Sequence, residues 1–172
     1  MPLTPAALSD LPAVVQLVNG AYRGAGAKRG WTHEADYLEG TRTTLEALQE
    51  DLRAQPGALL LRRDADGPLQ GCVWLAPEKD GAWYLGMLTV RPDLQDRGLG
   101  RTILKAVEAR ARAGGALSLR MTVVSIRESL IAWYARRGYA PTGETEPFPC
   151  DDERFGRPLR DDLAFVVLEK RL

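Results

Sequence analysis

Residues 91–101 read RPDLQDRGLGR, and three arginines and two glycines fall where an apolar, extended stretch gives way to helical spacing. Backbone N–H groups at a helix start have no intrahelical acceptor. Gly98 and Gly100 carry no Cβ that would hold a ligand off that backbone, and the helix dipole, with Arg91, Arg97 and Arg101, adds positive potential. The chemistry on offer is capture of an anion such as a pyrophosphate. The same spacing also suits a bare strand-to-helix turn that needs a positive φ. Two better-known phosphate motifs fail: GAGAKRG at 24–30 lacks the trailing hydroxyl of a P-loop and follows a helix, and Ile103 stands where a dinucleotide fingerprint needs its third glycine.

The elements around this junction alternate. Ser9 as N-cap, Pro12 in a first turn, and Leu11, Val14, Val15, Val18 and Tyr22 at helical spacing predict a helix over 9–23. Leu45, Leu48 and Leu52 mark a second helix. ALLLRRDADGPLQGCVWLAP, residues 58–77, reads as a hairpin turning at Asp66-Gly67. AWYLGMLTV at 82–90 is a strand stopped by Pro92, and Ile103, Leu104, Val107 and Ala111 carry a helix that Gly114-Gly115 ends. ALSLRMTVV at 116–124 is a strand, RESLIAWYARRG at 127–138 a helix, and LAFVVLEKRL at 163–172 a last strand. The expectation is a single α/β (α+β) domain over residues 1–172 with a mixed sheet.

Composition narrows the function classes. Lys plus Arg and Asp plus Glu each number 23, so no global field recruits nucleic acid or an acidic membrane. No stretch approaches the length of a membrane span, and no leader pattern opens the chain. Cys72 and Cys150 lack a partner at metal-ligand spacing, which predicts two reduced thiols, a cytoplasmic protein and no metal.

MLTVRPDLQDRGLGRTIL at 87–104, followed by LRMTVVSIRESLIAWYARRGYAPTGE at 119–144, resembles the acetyl-coenzyme A binding core of the GNAT family of N-acetyltransferases. The family signature Q/R-x-x-G-x-G/A is matched by Gln95, Gly98 and Gly100. The resemblance implies a twisted central sheet of about six to seven strands whose two central parallel strands splay apart, flanked by about four helices. It further implies transfer of an acetyl group from acetyl-CoA to a primary amine by direct attack in a ternary complex. In that reading the backbone of Leu88, Thr89 and Val90 bonds the pantetheine, and the Leu88 N–H holds the developing oxyanion. Gln95 belongs to the signature, and the N–H groups of Asp96, Arg97, Gly98, Leu99, Gly100 and Arg101 take the diphosphate. Tyr134, of Tyr-x-x-x-Gly-Tyr, would protonate the departing thiolate, a phenol of pKa about 10 against a thiol of about 8.5. Read without the resemblance, Tyr134 is a core tyrosine on a helix that also carries Leu130, Ile131 and Trp133.

The chain departs from the family pattern in two places. Arg127 and Leu130 stand where many members carry Asn and Ala, so Arg127 reaches a phosphate or caps a helix. AWYLGMLTV holds no carboxylate to act as base, and Gly86 in it marks either a bulge or close packing. The base or acceptor-site candidates therefore move to RGWTHEADYLEGTR at 29–42: His33, Glu34 and Asp36, with Trp31 as a wall and Arg42 for an acceptor carboxylate. EPFPCDDERFGRP at 146–158 would form another wall as a loop. The alternatives are an acyl-CoA sensor without turnover and a partner-binding module. The chain would be a monomer or a homodimer.

Overall fold

The structure, a computed structural model, describes residues 2–64 and 67–172. In chain order the elements are β1 (Thr4–Pro5), α1 (Leu11–Tyr22), α2 (Gly24–Ala27), β2 (Leu38–Glu39), α3 (Leu45–Ala54), β3 (Leu59–Arg63) and β4 (Leu69–Pro77). They continue with β5 (Ala82–Val90), α4 (Leu99–Ala113), β6 (Ser118–Val124), α5 (Glu128–Ala135), β7 (Ala140–Pro147), β8 (Arg157–Pro158) and β9 (Ala164–Arg171). Seven strands form one sheet in the order β1-β3-β4-β5-β6-β9-β7, and β2 and β8 pair apart from it. Every pairing is antiparallel except β5 with β6.

The apolar run of β3 is explained by burial on both faces. Leu59 and Leu61 pack with Leu11, Val14 and Val18 of α1 and Leu48 of α3, whereas Leu60 faces Ile103, Leu104 and Val107 of α4. Farther along, the sheet is covered by chain rather than helix: Phe148, Phe155 and Phe165 cluster with Tyr37, Leu38 and Val124. That change of cover leaves room for a cleft beside α1.

Several expectations need correction in detail. Ser9 does not cap α1; a 3-10 turn over Leu8–Asp10 leads in, and Asp10 is the N-cap. The hairpin forms, but Asp66 of its expected turn lies outside the described residues. β7 is a strand the sequence pattern does not announce, because all eight of its residues are exposed and two prolines sit in it, as an edge strand allows. Part of the expected 146–158 loop is ordered as the end of β7, a 3-10 turn and β8, which ties to β2 at Leu38↔Pro158 and Glu39↔Arg157.

The two parallel strands do splay. They are paired only at Ala82↔Ser118, Trp83↔Leu119 and Tyr84↔Arg120, so Leu85–Val90 runs on without a ladder to β6. On its other side, β5 carries a bulge. Cys72 pairs with Thr89 and Trp74 with Gly86, leaving Met87 and Leu88 opposite Val73 alone. Met87 takes φ 50°, a left-handed conformation costing a non-glycine residue roughly 1–2 kcal/mol. The bulge thus falls one residue after Gly86. Gly86 itself is a site of close packing, where a Cβ would lie 2.6 Å from the Tyr84 ring and the ring would have to shift.

Candidate active site

Two cavities open around the end of β5. The smaller, about 360 Å³, runs from Leu88–Val90 to the start of α4 and is closed by Trp31, Trp133 and Arg137. The larger, about 700 Å³, lies along the splay and is walled by α1, by Arg42, and by Phe148 and Phe165. Leu88, Tyr134, Tyr22, Arg127 and Leu130 line both, so the cavities meet at Leu88 and Tyr134.

At the junction read first in the sequence, Asp96 has φ 59° and Gly98 φ 79°, and α4 starts at Leu99. A Cβ at Gly100 would stand 3.6 Å from both Trp133 and Val90, in ordinary contact, so packing of α4 does not by itself demand glycine there. Asp96, Gly98, Gly100 and Arg101 line the smaller cavity, whereas Arg97 is exposed outside its lining and Leu99 packs toward the core. The Gln95 side chain is engaged within the protein: its Nε2 donates to Val90 O at 3.2 Å and its Oε1 accepts from the Trp31 N–H at 3.0 Å. It braces the end of β5 against the 28–36 loop.

Arg137 is a cavity residue that the sequence reading passed over. Its guanidinium lies 3.5 Å from the centre of the Trp133 ring, and its buried Nε has no hydrogen-bond partner among the described residues. Partial desolvation, then Arg136 and Arg101, hold its pKa below the usual arginine range. Its Nη1 donates to Trp133 O, which holds the guanidinium over the ring at the edge of the smaller cavity as a positive charge for an anion there. The spacing of Trp133 and Arg137, i and i+4 on the helix expected over 127–138, was the available signal, although α5 ends at Ala135 and Arg137 lies in the turn that follows.

Tyr134 is buried, with its ring edge-on to Trp133 at 5.0 Å and to Tyr139 at 5.6 Å. Its hydroxyl makes no hydrogen bond among the described residues, and burial, first of all, pushes its pKa up. Tyr22 was read only as part of a helical stripe. Its hydroxyl donates to Leu88 O at 3.1 Å, which fixes the bulged carbonyl against α1.

The 29–42 segment behaves differently from its expected roles. Glu34 is buried and doubly committed: Oε2 pairs with Arg23 at 2.9 Å and Oε1 with Arg127 at 3.2 Å. Arg127 also donates to Thr32 at 2.6 Å, so it ties the loop to the start of α5, and it lines both cavities. His33 and Asp36 line neither cavity; Asp36 pairs with Lys28 at the surface, and His33 Nδ1 accepts from the Ala35 N–H. Trp31 lies on the smaller cavity, 6.4 Å from the Trp133 ring, and not on the larger one. Arg42 does line the larger cavity. Cys72 is fully buried and lines neither cavity, and desolvation pushes its thiol up to about 12.

Residues 16–139 match the acetyltransferase (GNAT) family. The chain belongs to that family. Over 168 residues this GNAT chain is 27% identical to an L-methionine sulfoximine/L-methionine sulfone acetyltransferase of Pseudomonas paraeruginosa, covering 95% of the chain and 91% of that protein. A 75-residue stretch, 43% of the chain, is 43% identical to an amino-acid acetyltransferase of Ralstonia nicotianae, but spans only 16% of that protein's length. In fold, it superposes on a ribosomal-protein-alanine N-acetyltransferase from Brucella melitensis with a TM-score of 0.70 over all of both chains, at 18% identity. A GNAT acetyltransferase from Elizabethkingia anophelis, solved with acetyl-CoA bound, gives a TM-score of 0.60 over 72% of this chain and 83% of its own, also at 18% identity. The splayed pair, the bulge before the junction and the two joined cavities are thus features of a GNAT fold.

Proposed function

We propose that this protein transfers the acetyl group of acetyl-CoA to a primary amine by direct attack, in the cytoplasm and without a metal. The observation that carries the reading is the meeting of the two cavities at Leu88 and Tyr134. One cavity suits the cosubstrate and the other the acceptor. The residues fit acetyl-CoA: no Cβ at Gly98 or Gly100 covers the helix start, and the cationic side chains of Arg101 and Arg137 line the same cavity.

Bound acetyl-CoA supplies an activated thioester carbonyl. The N–H groups from Asp96 to Arg101 would hold its diphosphate, and the unpaired edge of β5 its pantetheine, as an added strand. The bulge and the splay take Leu88 out of regular pairing on both sides, which supports its N–H as the donor that stabilises charge on the carbonyl oxygen. Tyr134 would give its proton to the departing sulfur. Glu34, held between two arginines, serves that mechanism as scaffold, and the acceptor ammonium loses its proton to water.

The test is calorimetric titration with acetyl-CoA, followed by thiol release across a panel of amines. Binding with release for one amine class is the expected result; a folded protein that binds no acetyl-CoA contradicts it. Gly98→Val is expected to weaken acetyl-CoA binding about tenfold. The nearest atom to a Cβ there is Arg101 Nη2 at 3.7 Å, so the cost is backbone strain at φ 79°, of roughly 1–2 kcal/mol. Affinity equal to wild type would show that this backbone does not hold the cosubstrate.

A further inference from the structure

The larger cavity is lined by four arginines and four glutamates, and among the arginines Arg23, Arg120 and Arg127 are ion-paired. Arg23, Arg42 and Arg127 line it together with Glu34, and Asp51, outside the lining, is near enough to feel the charge of Arg42. Glu34 is used up by two of the three. Arg23 spends its other N–H groups on the carbonyls of Glu39, Thr41 and Phe155. Arg42 has no hydrogen-bonded or ion-paired acceptor for its guanidinium among the described residues; its Cζ lies 5.6 Å from the centre of the Tyr22 ring. A half-buried guanidinium left in this state is an anion receptor.

Its backbone is also fixed in advance. Asn19 Oδ1 accepts from the N–H of Arg42 at 2.7 Å and of Thr43 at 3.0 Å, while Asn19 Nδ2 donates to Thr43 O at 2.9 Å. One amide on α1 therefore clamps the residues that carry this guanidinium, and less ordering remains to be done when a ligand arrives. Tyr22 links the receptor to the reacting end, because the ring beneath Arg42 bears the hydroxyl that bonds Leu88 O. An anion on Arg42 and an amine near Leu88 would accordingly share one cavity, with the Tyr22 ring between them.

Resting on the acetyltransferase reading, we propose that the acceptor is a free α-amino acid, whose carboxylate is bound by Arg42 while its amine faces Leu88 and Tyr134. A peptide N-terminus presents a neutral amide at that place, and a simple polyamine presents nothing anionic. Both leave Arg42 unanswered.

The experiment measures kcat/KM for the standard L-amino acids and L-methionine sulfone, each beside its own methyl ester and carboxamide, in wild type, Arg42→Gln and Arg42→Lys. For its best substrate the wild type is expected to prefer the free acid over the ester and the amide by about 10- to 100-fold, the range of a charge-assisted bond. Arg42→Gln brings that ratio near one, chiefly through KM, and Arg42→Lys retains part of it. Melting temperature and acetyl-CoA affinity, measured alongside, separate lost recognition from lost folding. Equal use of acid, ester and amide by the wild type, or a ratio unmoved by Arg42→Gln, overturns the proposal and leaves the acetyltransferase reading standing. Absence of thiol release with every amine overturns both.

Discussion

Tyr134→Phe is expected to lower kcat by about 10²- to 10³-fold, within the range of a lost general acid, while leaving acetyl-CoA affinity within a few-fold of wild type. The substitution isolates the hydroxyl. The ring contacts with Trp133 and Tyr139 persist in phenylalanine, and the hydroxyl has no hydrogen bond among the described residues to forfeit. The pH dependence follows from the direction of the shift. Burial raises the phenol above its ordinary pKa of about 10, so the protonated, donating form persists further up the pH scale than in a free tyrosine. The rate should then climb as the acceptor amine loses its proton, with no descending limb due to Tyr134 below about pH 10. Initial rates from pH 6 to 10 check both points. An unchanged kcat in Tyr134→Phe, or a descending limb near pH 8 that the substitution abolishes, contradicts the assignment.

Glu34→Ala is expected to cost about 3–5 kcal/mol of stability, the usual price of stranding buried partner charges. Arg23, Glu34 and Arg127 have side chains no more than 10% exposed, and removing the shared carboxylate leaves two guanidiniums facing each other out of water. For a chain of this length the melting temperature should fall on the order of 10 °C. Glu34→Gln keeps an acceptor oxygen and should lose less. His33→Ala and Asp36→Asn, which line neither cavity, should leave turnover within about twofold. A Glu34→Gln protein that melts as wild type does but turns over a hundredfold more slowly would instead make Glu34 the general base.

Much of this arrangement was legible in the residues because it depends on local rules. The glycines at 98 and 100, the helix that follows and the apolar strand before it announce themselves by spacing, and the structure joins them in the expected order. The splay was available only through the resemblance, since no pattern in β5 or β6 shows where their pairing stops. The roles in 29–42 could not be read, because a carboxylate in a polar loop looks the same whether it is solvated or buried. Arg23, eleven residues upstream, and Arg127, ninety-three downstream, decide the matter for Glu34. Nor could β7 be read: an exposed edge strand shows no apolar alternation, and its prolines resemble turn signals. Arg137 and Tyr22 were hidden for the opposite reason, as they fit ordinary helix surfaces and acquire meaning only once α1 and α5 close around the end of β5.

The most direct test of the account is a crystal structure of the protein with coenzyme A. The diphosphate is expected on the backbone N–H groups between Asp96 and Arg101, the pantetheine along Leu88–Val90, and the sulfur within hydrogen-bonding reach of the Tyr134 hydroxyl. Coenzyme A bound elsewhere, or lying in the cleft with its sulfur turned away from Leu88 and Tyr134, would contradict it.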